Sequence, residues 1–258
     1  MNYSNLMISG LCMSMASLAA AVPGAVAADS PATIRIISSM ATRQVLAELI
    51  EQFEKQSGYK VEIESVGGVD AAKRVEAGEA FDVVILASNA IDKLIDSGKV
   101  ASGSRVDLVK SGIAIAVREG SEAVDVSSEQ AVKQAVLAAK TLSYSTGPSG
   151  VYLTGLFERW GIADQISHRI VKAPPGVPVG SLIAKGEVEL GFQQLSELLH
   201  LNGIVILGPL PADIQMMTIF SAGVTVNTAH KDAVEALLNF LASPAATQVK
   251  INQGMEPI

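Results

Sequence analysis

A turn rich in glycine, proline and hydroxyl side chains carries residues that could bind an anion. The segment from 143 to 161 reads SYSTGPSGVYLTGLFERWG, and its turn TGPSG contains the hydroxyl groups of Thr146 and Ser149. A strand, a glycine-rich turn and a helix start in succession aim free backbone N–H groups at a negative charge. Gly147 and Gly150 permit a positive φ or a close backbone approach. An ordinary strand-to-helix turn uses the same residue types without binding anything.

The sequence lacks the residue patterns that several other kinds of functional site require. No GK[ST] follows the turn, so it is not a P-loop, and the sequence contains neither GxGxxG nor GxSxG. The three histidines, at 168, 200 and 230, lack ligand spacing, so we predict no metal site and no cofactor. The formal net charge of −7, without basic runs, argues against nucleic acid as a partner.

The first 27 residues predict a cleavable signal peptide. An apolar run from Leu6 to Ala21 precedes Ala25-Val26-Ala27, a small-x-small cleavage pattern. An uncleaved membrane anchor is the alternative, but the run is short and glycine and proline interrupt it. The single cysteine, Cys12, would leave with this segment. We therefore expect a mature periplasmic protein with no membrane insertion.

An alternation of apolar strands and amphipathic helices predicts an α/β fold. ATIRIISS, YKVEIESVGG, FDVVILAS and HRIVKAP read as strands, and RQVLAELIEQFEKQSG reads as a helix with Gly58 as its C-cap. The inward face of that helix is predicted to comprise Val45, Leu46, Leu49, Ile50 and Phe53. The helix after the TGPSG turn is predicted to place Val151, Leu156 and Trp160 on one face.

Two further apolar runs, SGIAIAVREGS and QMMTIFSAGVTVN, are interpreted as strands that cross between two lobes. Lobe 1 would comprise residues 28–112 and 218–258, and lobe 2 residues 113–217. The prediction is a two-lobed α/β protein with its ligand cleft between the lobes.

Loops at the carboxyl ends of the strands should converge on the cleft of such a sheet. These loops are Ser38–Thr42, Ser88–Asn89, Thr146–Tyr152, Pro174–Val179 and Gln193–Gln194. They share hydroxyls, amides, glycines and helix starts, which suit an oxygen-rich anion. Each charge-assisted hydrogen bond to such an anion contributes roughly 1.5–3 kcal/mol.

Structural roles for the same side chains remain open. Ser38 and Ser39 could cap the first helix, Ser88 and Asn89 could cap the helix from Ile91, and Tyr152 could pack in the core. For Gln193 and Gln194, ligand contact is favoured, because two amides are an unusual end for an apolar strand. Arg43 or Lys172 could reach a carboxylate.

The motifs SSMAT, FDVVILAS, GPSGVY and AKGEVELGFQQ together resemble the type II periplasmic binding fold, in its molybdate-binding-protein branch. The similarity covers essentially all of the mature chain. It implies that a small anion is held by Ser38 or Ser39, Ser88, the turn residues Ser149, Gly150 and Tyr152, Gly176 and Gln194.

Two positions depart from that branch. Gln194 stands where a tyrosine is usual, and Ser149 stands where a small apolar residue is usual. Both changes add hydrogen-bonding capacity that suits a planar carboxylate better than molybdate. The stretches STGPSG and GFQQLSEL resemble a side branch that includes secreted bacterial aconitate isomerases.

That side branch implies an isomerase that interconverts cis- and trans-aconitate by an allylic proton shift. The residues leave the proton-transfer group open among Tyr152, Lys172 and Glu197. The alternative is a non-catalytic receptor that delivers an oxyanion or small carboxylate to an ABC permease. A periplasmic sensor is a third hypothesis, with less support.

Overall fold

The computed structural model describes residues 33–122, 124–174 and 176–258. The predicted signal peptide, residues 1–27, lies outside these ranges. No helix among the described residues is both long and apolar enough to cross a membrane.

Within the described ranges the chain alternates strands and helices, as predicted. The strands β1 to β9 are, in order, Thr33–Ser39, Lys60–Val66, Val83–Ala87, Val106–Arg118, Leu142–Tyr144, Leu190–Gln194, Ile204–Pro209, Met217–Val224 and Glu256–Pro257. The helices α1 to α10 are Arg43–Ser57, Gly68–Glu76, Ser88–Asp96, Glu129–Ala138, Pro148–Arg159, Ala163–Ile166, Val179–Ala184, Leu195–Leu198, Lys231–Ala242 and Thr247–Asn252.

The strands form one mixed sheet in the order β2-β1-β3-β8-β4-β6-β5, and β7 and β9 also pair with β4. β1 is parallel to both β2 and β3, and β5 is parallel to β6. β8 and β4 run antiparallel to their neighbours. Parallel strands place their carboxyl ends at one edge of the sheet, so the loops after β1 and β3 start on the same side.

The long strand β4 connects the two halves of the sheet. Its first part, from Val106 to Gly112, pairs with β8, and its second part, from Ile113 to Val117, pairs with β6 and β7. The sequence predicted only the second part together with Ser111 and Gly112. The first part was missed because polar residues such as Asp107 and Lys110 interrupt its apolar pattern, whereas the second part is a continuous apolar run.

The helices cover both faces of the sheet. α1 and α9 pack on the face that presents Ile34, Ile36 and Phe220, and α2 and α3 pack on the opposite face. α4 and α5 pack against β4 and β6, and α7 and α8 pack on the other side of the same strands. All five side chains predicted for the inner face of α1 are buried, and Gly58 ends that helix with a φ of 76°.

Two local predictions are wrong. HRIVKAP forms a 3-10 turn, Ser167–Arg169, followed by a single bridge at Ile170, rather than a strand. The guanidinium of Arg169 donates to two carbonyl oxygens at the end of α4, which holds this segment in a turn. Val151 is 72% exposed and does not share the buried face of Leu156.

Candidate functional site

A cavity of about 480 Å³, here called the first cavity, lies where the loops after β1, β2, β5 and β6 converge. Its volume falls within the range of roughly 300–1,000 Å³ that small-molecule sites occupy. Its wall includes Ser39, Gly68, Ser149, Gly176, Gln194 and Glu197.

Two helices begin at the wall of the first cavity without a side-chain cap. α2 begins at Gly68 after Gly67, and α5 begins at Pro148 after Gly147; neither N-cap glycine can supply a side-chain acceptor. The first N–H groups of a helix have no partner within it and carry a partial positive charge. The two helix starts therefore give the cavity positive potential and backbone donors, which favour an anion.

Ser39 and Ser38 face different surroundings, as successive residues of a strand do. Ser39 lines the first cavity, and its Oγ also accepts from the backbone N–H of Ala41 at 3.3 Å, so it caps the turn before α1. Ser38 is fully buried, lines neither cavity described here, and its Oγ lies 2.8 Å from the Oγ of Ser65. Of the pair, only Ser39 is therefore placed to meet a ligand.

The TGPSG turn is shaped by a close contact beneath it. Ser149 lines the first cavity, and its Oγ lies 2.8 Å from the Oγ of Ser145. Gly150 is buried and does not line the cavity; a Cβ built on it would lie 1.6 Å from the carbonyl oxygen of Ser145. Glycine at this position thus permits the backbone approach that presents the start of α5.

A larger cavity of about 790 Å³, here called the second cavity, adjoins the first. The two share wall residues that include Ser39, Gly68 and Gly147. Ser88 and Tyr152 lie on its wall, together with the amines of Lys73 and Lys93 as the cationic groups among its described lining residues.

The structure shows whether Ser88 caps α3 and what the hydroxyl of Tyr152 contacts. α3 begins at Ser88 itself, with Ala87 as its N-cap and no side-chain capping bond. Ser88 therefore does not cap this helix, and the uncapped start of α3 faces the second cavity. The hydroxyl of Tyr152 donates to the carbonyl oxygen of Ile214 at 2.7 Å, which ties α5 to the chain before β8.

Gln194 lines the first cavity, but the protein already satisfies its amide. In the amide orientation assigned from the hydrogen-bond network, its nitrogen donates to the carbonyl oxygens of Ser111, at 2.9 Å, and Gly112, at 3.2 Å. Its oxygen accepts from the Oγ1 of Thr218 at 2.9 Å. Gln194 therefore joins β6 to β4 and β8 at the point where β4 changes partners.

A partly buried carboxyl group, that of Glu197, lies beside the amide of Gln193, the residue before Gln194. Glu197, in the first turn of α8, lines the first cavity, and its Oε1 accepts from the Nε2 of Gln193 at 2.8 Å. Burial raises the pKa of Glu197 to about 7, against the opposing effect of the hydrogen bond from Gln193. At neutral pH the group therefore exists in both its protonated and its ionised form.

Of the remaining candidates, Gly176 lies at the first cavity, and Arg43 and Lys172 do not. Gly176 lines the first cavity with a φ of 75°, in the loop before α7. Arg43 and Lys172 are exposed and line neither cavity. Among the described residues, no group of three potential ligands could hold a metal ion.

Sequence reasoning named Glu197 only as one of three candidates for proton transfer and did not single out the two lysines of the second cavity. Gln193 and Glu197 are four residues apart across the β6–α8 junction, and this spacing was the available signal for their contact. Lys73 and Lys93 lie on different helices, and no local spacing relates them.

The sheet topology, with β4 running through both halves and a cleft ringed by strand-end loops, defines a two-lobed binding-protein scaffold of the type II periplasmic class. The chain belongs to the bacterial extracellular solute-binding proteins, whose family model matches residues 34–256.

Individual relatives agree with this assignment. The chain is 39% identical over 238 residues to an aconitate isomerase of Pseudomonas sp., with 90% of each protein covered. It is 26% identical over 243 residues to the molybdate-binding protein ModA of Azotobacter vinelandii, covering 92% of this chain and 90% of that protein. The solved periplasmic molybdate-binding protein of Azotobacter vinelandii superimposes with a TM-score of 0.74 at 22% identity, covering 86% of this chain and 98% of the other.

Proposed function

We propose that this protein is an isomerase that interconverts cis- and trans-aconitate in its first cavity. The observation that carries the proposal is the meeting of the uncapped starts of α2 and α5 with a titratable carboxyl group, Glu197, on one cavity wall. A receptor needs the anion-binding part alone, whereas a proton shift also needs a group that takes and returns a proton. The similarity to a Pseudomonas aconitate isomerase supports the same activity.

The ligand in this proposal is held by neutral donors. Carboxylates of the substrate accept from the first N–H groups of α2 and α5 and from the hydroxyls of Ser39 and Ser149, which line the cavity. The same donors stabilise the dienolate that forms when a proton leaves the carbon next to a carboxylate. The reaction needs no redox partner and no bound cofactor.

The second cavity would receive the part of the tricarboxylate that extends beyond the first. Lys73 and Lys93 provide positive charge there, partly offset by Glu76 on the same wall, and the start of α3 at Ser88 provides further backbone donors. Aconitate carries one more carboxylate than a dicarboxylic acid, and this cationic extension suits the additional charge.

The location and the lobes are part of the same proposal. Residues 1–27 would direct export and be removed after Ala27, leaving the mature protein in the periplasm. Residues 28–112 and 218–258 would form one lobe and residues 113–217 the other, since β4 changes partners between Gly112 and Ile113.

The test is direct. Purified mature protein is incubated with cis-aconitate at several pH values between 5 and 9, and the trans isomer is followed by proton NMR. Accumulation of trans-aconitate to equilibrium is expected, and the reverse reaction should reach the same ratio. Absence of conversion at every pH would overturn the proposal.

A second candidate function is a receptor for an oxyanion or a small carboxylate. The observation that favours it is the dominance of backbone and neutral donors at the first cavity, a chemistry that also fits a tetrahedral anion. In a thermal-shift comparison, a ligand at 100 times its Kd stabilises the folded state by about 2.7 kcal/mol. Strong stabilisation by molybdate or tungstate, without conversion of aconitate, would favour the receptor.

A further inference from the structure

The first cavity offers few groups that could carry a proton. Its described wall contains the carboxyl groups of Asp70 and Glu197. Asp70 is exposed at the start of α2, whereas Glu197 is partly buried. Tyr152 and Lys172, the other candidates from the sequence, do not line this cavity.

The neighbours of Glu197 hold its carboxyl group at the wall. α8 is anchored next to Glu197, where the Oγ of Ser196 donates to the carbonyl oxygen of Ala41, another lining residue of the cavity, at 2.8 Å. One carboxyl oxygen of Glu197 accepts from the amide of Gln193, and among the described residues the other oxygen, Oε2, accepts no hydrogen bond. That second oxygen is therefore free to meet a substrate hydrogen.

Gln193 suits both protonation states of this carboxyl group. Its side chain is 3% exposed, and its Oε1 is buried without a hydrogen-bond partner among the described residues. An amide presents N–H donors to a carboxylate and, after rotation, a carbonyl oxygen to a carboxylic acid. The unpartnered oxygen is thus the acceptor that a protonated Glu197 requires.

We propose that Glu197 is the catalytic residue that moves the proton in aconitate isomerisation; this inference rests on the function proposed above. The ionised carboxylate takes a proton from the CH₂ carbon of aconitate, and the freed C–H electron pair forms a new double bond to the central carbon. The electron pair of the old double bond moves to its CH carbon, which takes the proton back from the Glu197 carboxylic acid.

The proton, the electrons and the atoms balance in this step without an external reactant. The carbon skeleton of aconitate is symmetric about its central carbon, so moving the double bond regenerates aconitate. The conformation in which the cleft holds the departing CH₂ arm then decides whether the new double bond is cis or trans.

The titration of Glu197 fits this role. Burial raises its pKa to about 7, so at neutral pH one group is both an available base and an available acid. Proton transfer is most efficient when the pKa of the transferring group lies near the working pH.

The experiment compares the wild type with Glu197→Gln, which keeps the shape and removes the proton carrier. Turnover of cis-aconitate should fall by about 100-fold or more, the usual contribution of a general acid–base. Stabilisation of the folded protein by aconitate should remain. The control is Glu158→Gln, an exposed carboxyl on α5 that lines neither cavity, which should keep wild-type turnover.

A second readout distinguishes catalysis from a structural role. The proton on the Glu197 carboxylic acid can exchange with solvent before it is returned, so in D₂O the wild type should introduce deuterium at the CH₂ and CH carbons of aconitate, and Glu197→Gln should not. Glu197→Asp keeps a carboxyl on a shorter side chain and should retain partial turnover. Gln193→Leu removes the donor to the ionised form, so the acidic limb of the pH–kcat profile should move to higher pH.

The outcomes separate the two proposals. If the wild type does not convert aconitate, the proposed function fails and this inference fails with it. If the wild type converts aconitate and folded Glu197→Gln does so at a similar rate, only the assignment of Glu197 is overturned. If Glu197→Gln does not fold, the other two variants decide. The assignment is overturned if Glu197→Asp turns over aconitate as fast as the wild type and the acidic limb of the pH–kcat profile does not move in Gln193→Leu.

Discussion

At the scale of single residues, the raised pKa of Glu197 affects the stability of the folded protein as well as the proposed proton transfer. Its raised pKa means that the native state binds more protons than the unfolded chain between the unfolded carboxyl pKa, near 4.5, and about 7. The stability of the wild type should therefore fall as the pH rises through that window. Once ionised, the carboxyl group of Glu197 therefore lowers the stability of the folded protein.

The corresponding prediction concerns Glu197→Gln at two pH values. At pH 8 the variant should be more stable than the wild type by roughly 2–3 kcal/mol, because it avoids the buried charge. At pH 5 the difference should be close to zero. Urea unfolding at both values measures this, with Glu158→Gln as the control; an equal difference at the two pH values would contradict the expectation.

Lys250 is a second residue whose charge is poorly accommodated. It lies in α10 with a relative exposure of 2%, beside a void of about 10 Å³ lined by Val45, Leu46 and other apolar side chains. Burial lowers the pKa of Lys250, because the charged form is disfavoured away from water.

Lys250→Met should therefore stabilise the protein at pH 7, by about 1–2 kcal/mol. The gain should shrink as the pH rises toward 10, because the unfolded lysine then loses its proton as well. Denaturant unfolding at pH 7 and pH 10 checks both statements, with the exposed Lys231→Met as the control. A loss of stability in Lys250→Met at pH 7 would show that the ammonium group makes favourable contacts.

At the scale of elements, α5 depends on how its first turn is built. Gly150 packs directly over the carbonyl group of Ser145. Gly155 lies further along the same helix, and the position that a Cβ would occupy there has no neighbouring atom within 4 Å. The same substitution at the two glycines should therefore have opposite effects.

Gly150→Ala should destabilise the protein by about 3 kcal/mol, because the added methyl group overlaps backbone atoms that must move. It should also weaken aconitate binding, since the start of α5 shifts away from the cavity. Gly155→Ala should instead stabilise by about 1 kcal/mol through helix propensity. Thermal unfolding of the two variants measures the contrast, and equal effects would contradict the proposed packing.

At the scale of the whole molecule, Gln194 joins the parts of the sheet. Its amide contacts Ser111 and Gly112 in β4 and Thr218 in β8 from the end of β6. These contacts lie where β4 leaves β8 and begins to pair with β6. Gln194 therefore links β4 and β8 to the cavity wall.

Gln194→Met should lower stability by about 2–4 kcal/mol, because buried carbonyl groups lose their donor. The effect should be smaller when Thr218→Val is already present, since the two side chains share a hydrogen bond. Exposed Gln134→Met in α4 is the control. Heat unfolding of the four variants in a double-mutant cycle tests this, and strict additivity would exclude the contact between the two side chains.

Much of the fold follows from local patterns in the sequence. The spacing of apolar residues predicted β1, α1, β3 and the buried face of α1, because side-chain direction repeats every two residues in a strand and every 3.6 in a helix. Two apolar runs interpreted as crossing strands predicted the two-lobed arrangement, and the resemblance to the type II binding fold, carried by short motifs around Ser39, Ser88 and Ser149, implied the same. The chemistry of an anion site followed from hydroxyls, amides and helix starts at strand ends.

By itself, then, the sequence determined the α/β class and the pool of candidate side chains, and it predicted an anion-binding character for the cleft. Only the tertiary structure decided that Ser39 rather than Ser38 faces the cavity, that Gln194 is engaged by β4 and β8, and that Glu197 is buried enough to titrate near neutral pH. The physical reason is that burial and hydrogen-bond partners come from residues distant in the chain. The anchor of α8, from Ser196 to Ala41, spans 155 residues, and no local period encodes it.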